Sequence, residues 1–186
     1  MVLPVYVYGM SVLRKRAREI DEDYENLDTL ISDMFETMYA SEGVGLAAPQ
    51  VGKSIRLFIV DASPMAEDDP SLEGFKRVFI NPVILDEHGE KWNFSEGCLS
   101  IPLIREEVTR QTNVRIEYYD ENWELREEEF DGIKARIIQH EYDHLEGRLF
   151  VDRVSPLRRK LLNGRLKAIS RGQVDIDYRI IYPKKA

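Results

Sequence analysis

The spacing of apolar residues along the chain predicts three helices. Apolar side chains recur every three or four residues over Leu27–Tyr39, the pattern of a helix with one buried face, and Gly43 follows as a helix stop. A second helix is predicted over Asp131–Leu145, with the aspartate as its cap and Gly147 as its stop. The third helix begins at Ser155-Pro156, where a capping hydroxyl precedes a proline in the first turn.

The remaining apolar segments are predicted to be strands. They cover Ile55–Val60, Arg77–Ile84, Val114–Tyr119, Glu124–Phe130 and Val174–Ile180. The first two are expected to be buried, the next two to form a hairpin, and the last to add an edge strand. We therefore expect an α+β fold in one domain over residues 1–186, with small antiparallel or mixed strands wrapped around the second helix. A basic helix and a strand-like tail are expected from about residue 155.

The composition is typical of a soluble globular protein. The chain is 43% hydrophobic and 32% charged, and its longest apolar runs, of about six residues, are too short to cross a membrane. The N-terminal segment has no basic region before an apolar run, so no signal or transit peptide is expected. A single cysteine fits a reducing compartment, which favours a cytoplasmic location.

The most specific chemical signal is the segment Gln139–Gly147, with the sequence QHEYDHLEG. His140 and His144 are four residues apart and share one helix face, so their imidazoles can bind one metal ion. Glu141 follows the first histidine and is placed to handle protons on a metal-bound water. The alternative is an amphipathic helix that carries two histidines by chance.

A catalytic metal of this kind usually takes three protein ligands, so one more is needed. The zinc-protease pattern that continues to a third histidine has Phe150 at that position, and no glutamate follows Glu146, which points to an upstream ligand. The candidates are His88, in a polar segment expected to be a turn between strands, and Cys98. A lone cysteine is often just a small buried residue, but a thiolate is a strong ligand for zinc or ferrous iron, so Cys98 is favoured.

A third segment, Gly43–Gln50, contains two glycines that let the backbone approach a ligand closely. Gln50 offers an amide that could donate to an oxyanion. On its own, this segment is also compatible with a helix end followed by a buried loop.

Together these segments closely resemble the peptide deformylase family. Its three motifs, with Φ for an apolar residue, are G-Φ-G-Φ-A-A-x-Q, E-G-C-Φ-S and Q-H-E-x-D-H-Φ-x-G. They occur in the family's order at Gly43–Gln50, Glu96–Ser100 and Gln139–Gly147. The resemblance extends roughly from Val5 to Pro156. It implies a hydrolase that removes the formyl group from the N-terminal N-formylmethionine of newly synthesised peptides and releases formate.

The resemblance also implies a role for each matching residue. The implied metal ligands are Cys98, His140 and His144. The native ion is expected to be Fe²⁺, with Zn²⁺, Ni²⁺ or Co²⁺ able to replace it. Glu141 would take the proton of the attacking water and deliver it to the leaving amine. Gln50 and the backbone N–H of Leu99 would stabilise the oxyanion.

Substrate contacts are expected along the glycine-rich segment and in an apolar pocket. The expected substrate-binding residues are Val44, Gly45, Phe94, Glu96, Gly97, Ile133 and Ile137. Backbone groups of Val44 and Gly45 would hold the peptide by strand addition, and the apolar residues, which are also ordinary core candidates, would border the methionine side chain. Arg110 is expected either to pair with Glu96 or to be a surface charge. Asp143 would either hold the outer nitrogen of a ligand histidine or be a solvated acid.

Charge is distributed unevenly along the chain. The net charge is −8, but the part from Arg148 onward holds 11 Lys+Arg and 3 Asp+Glu, a net +8, so the remainder carries −16. A basic segment on an acidic body suggests a polyanionic partner, and the resemblance implies the ribosome. We expect Ser155–Gly172 to dock there transiently, with a solvated helix face as the alternative, and we expect neither a membrane nor DNA as a partner.

Two other functions stay open on the residues alone: a zinc peptidase that hydrolyses internal amides, and a metal-stabilised binding module without activity. The acidic segment Asp61–Lys76 is expected to be a long loop between two strands, which either tunes peptide entry or has no role.

Overall fold

The computed structural model describes residues 1–184 and has an α+β fold, as predicted. The strands are β1 (Val5–Tyr6), β2 (Gly45–Ala47), β3 (Leu57–Asp61), β4 (Lys76–Cys98), β5 (Ile101–Tyr119), β6 (Leu125–Asp131) and β7 (Ile180–Ile181). The helices are α1 (Leu27–Ala40), α2 (Gly132–Leu145) and α3 (Pro156–Ile169). Within the described residues, no helix is long and apolar enough to cross a membrane.

Five strands form one antiparallel sheet in the order β2-β3-β4-β5-β6, and β1 pairs with β7 in a separate parallel ribbon. Strand β3 is buried on both faces, because helices cover the sheet from two sides. Leu57 and Ile59 pack in one apolar cluster with α1, while Phe58 and Val60 pack in another with α2. Helix α2 packs against β2, β3, β5 and β6 of this sheet.

The bounds of α2 follow from signals close in the sequence. Asp131 is at the cap position, although its side chain makes no capping hydrogen bond. Gly147 ends the helix with a φ of +70°, and a Cβ there would lie 2.6 Å from the backbone oxygen of Arg14. Only glycine fits this turn. The helix that carries both histidines therefore ends where the chain lies against the backbone of Arg14.

The strand prediction was wrong about the length of β4. The predicted segment Arg77–Ile84 is only the beginning of a strand that continues to Cys98 and pairs with β5 through several register shifts. His88 was expected in a turn, but it lies inside this strand at such a shift. Its side chain is 42% exposed and contacts Asp86 and Glu129.

The acidic segment Asp61–Lys76 connects two strands, β3 and β4, as expected, whereas the tail differs from its prediction. The acidic stretch after β3 contains two short 3₁₀ turns, Ser63–Met65 and Pro70–Leu72. In the tail, only Ile180–Ile181 forms a strand, and it pairs with Val5–Tyr6 at a separate ribbon rather than at the edge of the main sheet. The basic helix α3 begins as predicted, with the Ser155 hydroxyl accepting from the N–H of Arg158.

Candidate metal centre

The structure brings Cys98, His140 and His144 together. One ligand atom from each lies within 4.8 Å of the others, although Cys98 is more than 40 positions from the histidines in the sequence. Cys98 ends β4, and the histidines lie on the buried face of α2. The Sγ atom of Cys98 and Nε2 of His144 are 3.4 Å apart. His88, the other upstream candidate, is not part of this cluster.

Glu96 orients His140. Its Oε1 lies 2.8 Å from Nδ1 of His140 and accepts a hydrogen bond from it, which leaves Nε2 as the ring nitrogen available to bind a cation. Glu96 was expected to contact substrate, but its carboxylate is buried and fully engaged by His140, Arg110 and Arg136. Its geometry fits the support of a ligand histidine rather than substrate contact.

Arg110 links two buried acidic residues of this centre, Glu96 and Asp143. It is not a surface charge, because its side chain is only 2% exposed. It binds Glu96 through Nε and Nη2, at 2.7 and 2.9 Å, and donates from Nη1 to Asp143 at 2.9 Å. Burial alone would raise the pKa of Glu96, but the bonds from Arg110 and His140 hold that pKa well below its usual range.

Neither expectation for Asp143 was right. Its carboxylate is buried, so it is not a solvated acid, and it binds Arg110 and Arg153 rather than a ligand histidine. The outer nitrogen of His144, Nδ1, is buried and has no hydrogen-bond partner among the residues that the structure describes. Asp143 therefore fixes the guanidinium of Arg110, which in turn fixes Glu96.

Arg136 is a member of this network that the sequence interpretation missed. It donates to Glu96 and to the carbonyl of Val108, each at 2.8 Å, and its guanidinium lies over the ring of Trp92. The sequence did contain a sign that Arg136 lies near the site, because it precedes His140 by one helical turn and so shares its helix face. A buried arginine on that face indicates a buried carboxylate opposite.

Glu141 lies on the same helix with its carboxyl turned toward β2. Its Oε2 is buried and unpaired within residues 1–184. A Cβ on Gly45 would lie 2.6 Å from its Oε1, so a side chain at this position would displace the carboxyl. Gly45 therefore has a specific function here: it makes room for Glu141 beside the strand.

Burial is the largest influence on the pKa values at this centre. It raises the pKa of Glu141 to about 7 and lowers that of His144 to about 3. It would also lower the pKa of His140, but Cys98 and Glu96 outweigh it and raise this pKa well above its ordinary value. Glu141 is therefore poised to exchange a proton near neutral pH, and His144 is neutral and free to bind a cation.

Gln50 faces the centre with its amide nitrogen. Its Oε1 accepts from the N–H of Ala47 at 2.9 Å, which fixes the orientation of the amide. Its Nε2 then points to the Sγ of Cys98 at 3.4 Å and the hydroxyl of Ser100 at 3.1 Å. A donor is thus held within reach of the ligand cluster.

A cavity of about 460 Å³ opens beside the cluster and is lined by Gln50, Cys98, His140 and Glu141. All of the residues expected to bind substrate also line it: Val44, Gly45, Phe94, Glu96, Gly97, Ile133 and Ile137. Leu99 lines it as well. The sequence interpretation missed Met65 from the acidic segment, and Ile176 and Tyr178 from the tail, because only the fold brings these segments to the cavity.

One wall of the cavity is an open strand edge. Strand β2 is the last strand of the sheet, and within residues 1–184 it pairs only with β3. The carbonyl of Val44 accepts from Asp61 on the β3 side, so by alternation the backbone groups of Gly45 face the other way. An extended peptide can pair with such an edge.

Both the sequence and the fold are similar to those of known proteins. Residues 2–160 match the family model described as Polypeptide deformylase. The chain is 50% identical to the peptide deformylase of Christiangramia forsetii and 52% identical to that of Flavobacterium psychrophilum, with 100% of each chain covered. It is also similar to the crystal structure of peptide deformylase from Thermus thermophilus, with a TM-score of 0.82 and 38% identity over 93% of this chain and 100% of that one.

Proposed function

The chain belongs to the peptide deformylase family, and we propose that Cys98, His140 and His144 bind its catalytic metal ion while Glu141 transfers the proton. As a member of this family, it is a metal-dependent hydrolase that removes the formyl group from the N-terminus of newly synthesised peptides. The proposal on the residues rests on one observation: a buried carboxyl lies beside three clustered ligand atoms, at the wall of a cavity.

The donor set fits a divalent transition metal ion. A thiolate with two neutral imidazoles suits Zn²⁺ and Fe²⁺, and the 3.4 Å from Cys98 Sγ to His144 Nε2 is close to the distance of about 3.6 Å for two ligands of one tetrahedral ion. When bound, such an ion would polarise a carbonyl oxygen and lower the pKa of a bound water toward about 7. We propose Fe²⁺ as the native ion, replaceable by Zn²⁺, Ni²⁺ or Co²⁺. Metal analysis after anaerobic purification tests this, and zinc without iron in such a preparation would contradict it.

Glu141 is proposed as the general base and then the general acid. Its burial places its pKa near neutrality, so it can accept the proton of the attacking water and return it to the leaving amine. Gln50 and the N–H of Leu99 are proposed to donate to the developing oxyanion. Loss of one such donor typically raises the barrier by about 3 kcal/mol.

The peptide is proposed to bind as an added strand along β2. Val44 and Gly45 supply backbone groups at the open edge, and the methionine side chain enters the apolar part of the cavity between Phe94, Ile133 and Ile137. The formyl carbon is then held near both Glu141 and Gln50. Arg110 and Asp143 act at a distance, by fixing Glu96 and through it the ring of His140.

A paired assay tests the reaction and the role of Glu141. Metal-loaded protein receives either formyl-Met-Ala-Ser or an internally quenched peptide with blocked ends, and formate and new amino termini are measured. We expect one formate per free amine and no internal cleavage. Glu141→Ala should keep its fold and metal but lose activity by about 100-fold or more, as for a removed general base, whereas Glu121→Ala on the exposed hairpin should match the wild type. Unaltered deformylation by Glu141→Ala would refute this role, and cleavage of the quenched peptide would favour a peptidase.

We also propose a cytoplasmic protein with one catalytic domain over residues 1–186, which docks transiently on the ribosome through α3. Lys160 and Lys167 are exposed on this helix, and Leu157 and Leu161 are 69% and 65% exposed. Arg158 is already paired with Glu106, so the lysines are the better targets. Exposed apolar and basic groups on one helix suit a polyanionic surface with apolar patches.

Ribosome co-sedimentation at low salt tests this docking. The double variant Lys160→Glu/Lys167→Glu should bind less than the wild type, because two cations become anions. Lys53→Glu/Lys91→Glu makes the same charge change on exposed residues outside α3 and should bind as the wild type does. Equal sedimentation of the two double variants would refute docking through α3.

A further inference from the structure

The C-terminal tail is fixed at both ends and crosses the cavity between them. After α3, Gly172 turns the chain with a φ of +70°, and a Cβ there would lie 2.5 Å from the ring of Tyr182. At the other end, β7 pairs with β1, and the N–H of Val5 donates to the carbonyl of Arg179 at 2.9 Å. The segment between these two points is therefore held in place by packing and hydrogen bonds rather than left free.

The inward side chains of this segment reach the candidate site. Residues 174, 176, 178 and 180 are partly buried and the residues between them are exposed, as in an extended chain with one face inward. Ile176 and Tyr178 line the cavity. The hydroxyl of Tyr178 donates to the carbonyl of Leu99 at 2.8 Å, across 79 positions of sequence.

Leu99 and Ser100 form the turn that joins β4 to β5, directly after Cys98. Other bonds to this turn come from distant elements: Gln50 donates to the Ser100 hydroxyl, and the N–H of Tyr8 donates to the Ser100 carbonyl at 2.8 Å. The Tyr178 hydroxyl supplies the bond to the remaining carbonyl of the turn. The Leu99 carbonyl and the Leu99 N–H lie in neighbouring peptide units that share the Leu99 Cα. Without the bond from Tyr178, this residue would lose a restraint, and its N–H would be held less firmly in one direction.

We propose that Tyr178 is a positioning residue, which acts through its hydrogen bond to the Leu99 carbonyl to hold the Leu99 N–H in the direction of the oxyanion. This proposal rests on the function proposed above for Leu99. It gives the tail a role in the reaction, because the parallel β1–β7 ribbon places Tyr178 against the turn. Removal of an oxyanion donor typically costs about 10²–10³ in kcat, so a donor that is loosened rather than lost should cost about tenfold.

The test compares Tyr178→Phe with Tyr182→Phe, which removes the same atom from a tyrosine of the same tail. Each metal-loaded variant is assayed with formyl-Met-Ala-Ser for kcat and KM, and its metal content and Tm are measured. The backbone amide resonance of Leu99 is followed by NMR in the zinc-loaded protein. We expect Tyr178→Phe to lower kcat about tenfold with KM within about twofold, to keep metal and Tm, and to shift the Leu99 amide, while Tyr182→Phe changes none of these.

An unchanged kcat in Tyr178→Phe would overturn the proposal. So would a lower kcat that comes with lost metal or lowered Tm and an unmoved Leu99 amide, because the hydroxyl would then serve only the fold. Absence of formate release by the wild type would instead contradict the proposed function, so the two failures are distinguishable.

Discussion

Replacing Gly45 by alanine tests the contact between β2 and the proposed general base. The new Cβ would lie 2.6 Å from Oε1 and 2.9 Å from Cγ of Glu141, whereas ordinary van der Waals contact begins at 3.4 Å. Restoring that distance from 2.6 Å requires a shift of about 0.8 Å. The strand is fixed by its pairing with β3, so we expect the Glu141 side chain to move.

A misplacement of about 1 Å can cost about 10²-fold in rate, so Gly45→Ala should lower kcat by about that factor. The metal should stay bound, because the three atoms nearest to the new Cβ all belong to Glu141 and none to a proposed ligand. Stability should change little, since Gly45 lies in extended backbone that alanine adopts. The assay measures formate release from formyl-Met-Ala-Ser beside metal content and thermal unfolding.

Gly164→Ala is the matched control. A Cβ at Gly164 in α3 meets no atom within 4 Å, so this variant should keep wild-type kcat and gain up to about 1 kcal/mol of stability. If Gly45→Ala kept the wild-type kcat, the carboxyl of Glu141 would not need its position beside β2, and the reasoning about the base would be wrong.

Three further predictions concern the buried charges and the ligands. Arg110→Met leaves Glu96 and Asp143 buried without their shared cation and should lower the free energy of unfolding by about 3–5 kcal/mol. Arg115→Met, which breaks an exposed ion pair on the same strand, should lower it by less than about 1 kcal/mol. Equal losses in denaturant unfolding would contradict the importance of the buried network. Cys98→Ser should purify with far less metal than the wild type, and metal retention at the wild-type level would exclude the thiolate as a ligand. His88→Ala should leave metal content and kcat unchanged, because His88 lies outside the cluster, and loss of metal would revive it as a ligand.

Local signals were enough to predict α2 and the placement of its two histidines on one helix face. The periodicity, the cap at Asp131 and the stop at Gly147 all lie within the helix or beside it, and its predicted end at Leu145 agrees with the structure. The hairpin of β5 and β6 was predicted for the same reason, because alternation and a polar turn are both visible over 114–131.

Features that depend on pairing across the chain were not predictable. His88 and Gly89 look like a turn, and Gly89 does have a φ of +84°, but the ladder with β5 carries the strand through this irregularity. The alternation over Val174–Ile180 did indicate which side chains face inward. It could not indicate that the tail would pair with β1 instead of the main sheet.

The candidate site likewise has residues that the sequence could predict and contacts that it could not. The ligand residues carry rare chemistry in recognisable spacing, so the sequence could single them out. The resemblance suggested Arg110 as a partner of Glu96, and the structure shows this pair, but the contacts of Glu96 with Arg136 and His140, 40 and 44 positions away, were not predicted because carboxylates and guanidinium groups are common. Asp143 shows the limit, since its place in the motif suggested a histidine partner and the fold gave it two arginines.

Titration of metal-free protein with Fe²⁺ under anaerobic conditions, with formate release from formyl-Met-Ala-Ser as the readout, tests the central claim most directly. We predict no activity without metal, a linear rise in rate, and a break at one ion per chain, with Cys98→Ser inactive across the same range. Full deformylation by the metal-free protein, or a Cys98→Ser titration that coincides with that of the wild type, would contradict the proposal that these three residues form the catalytic centre.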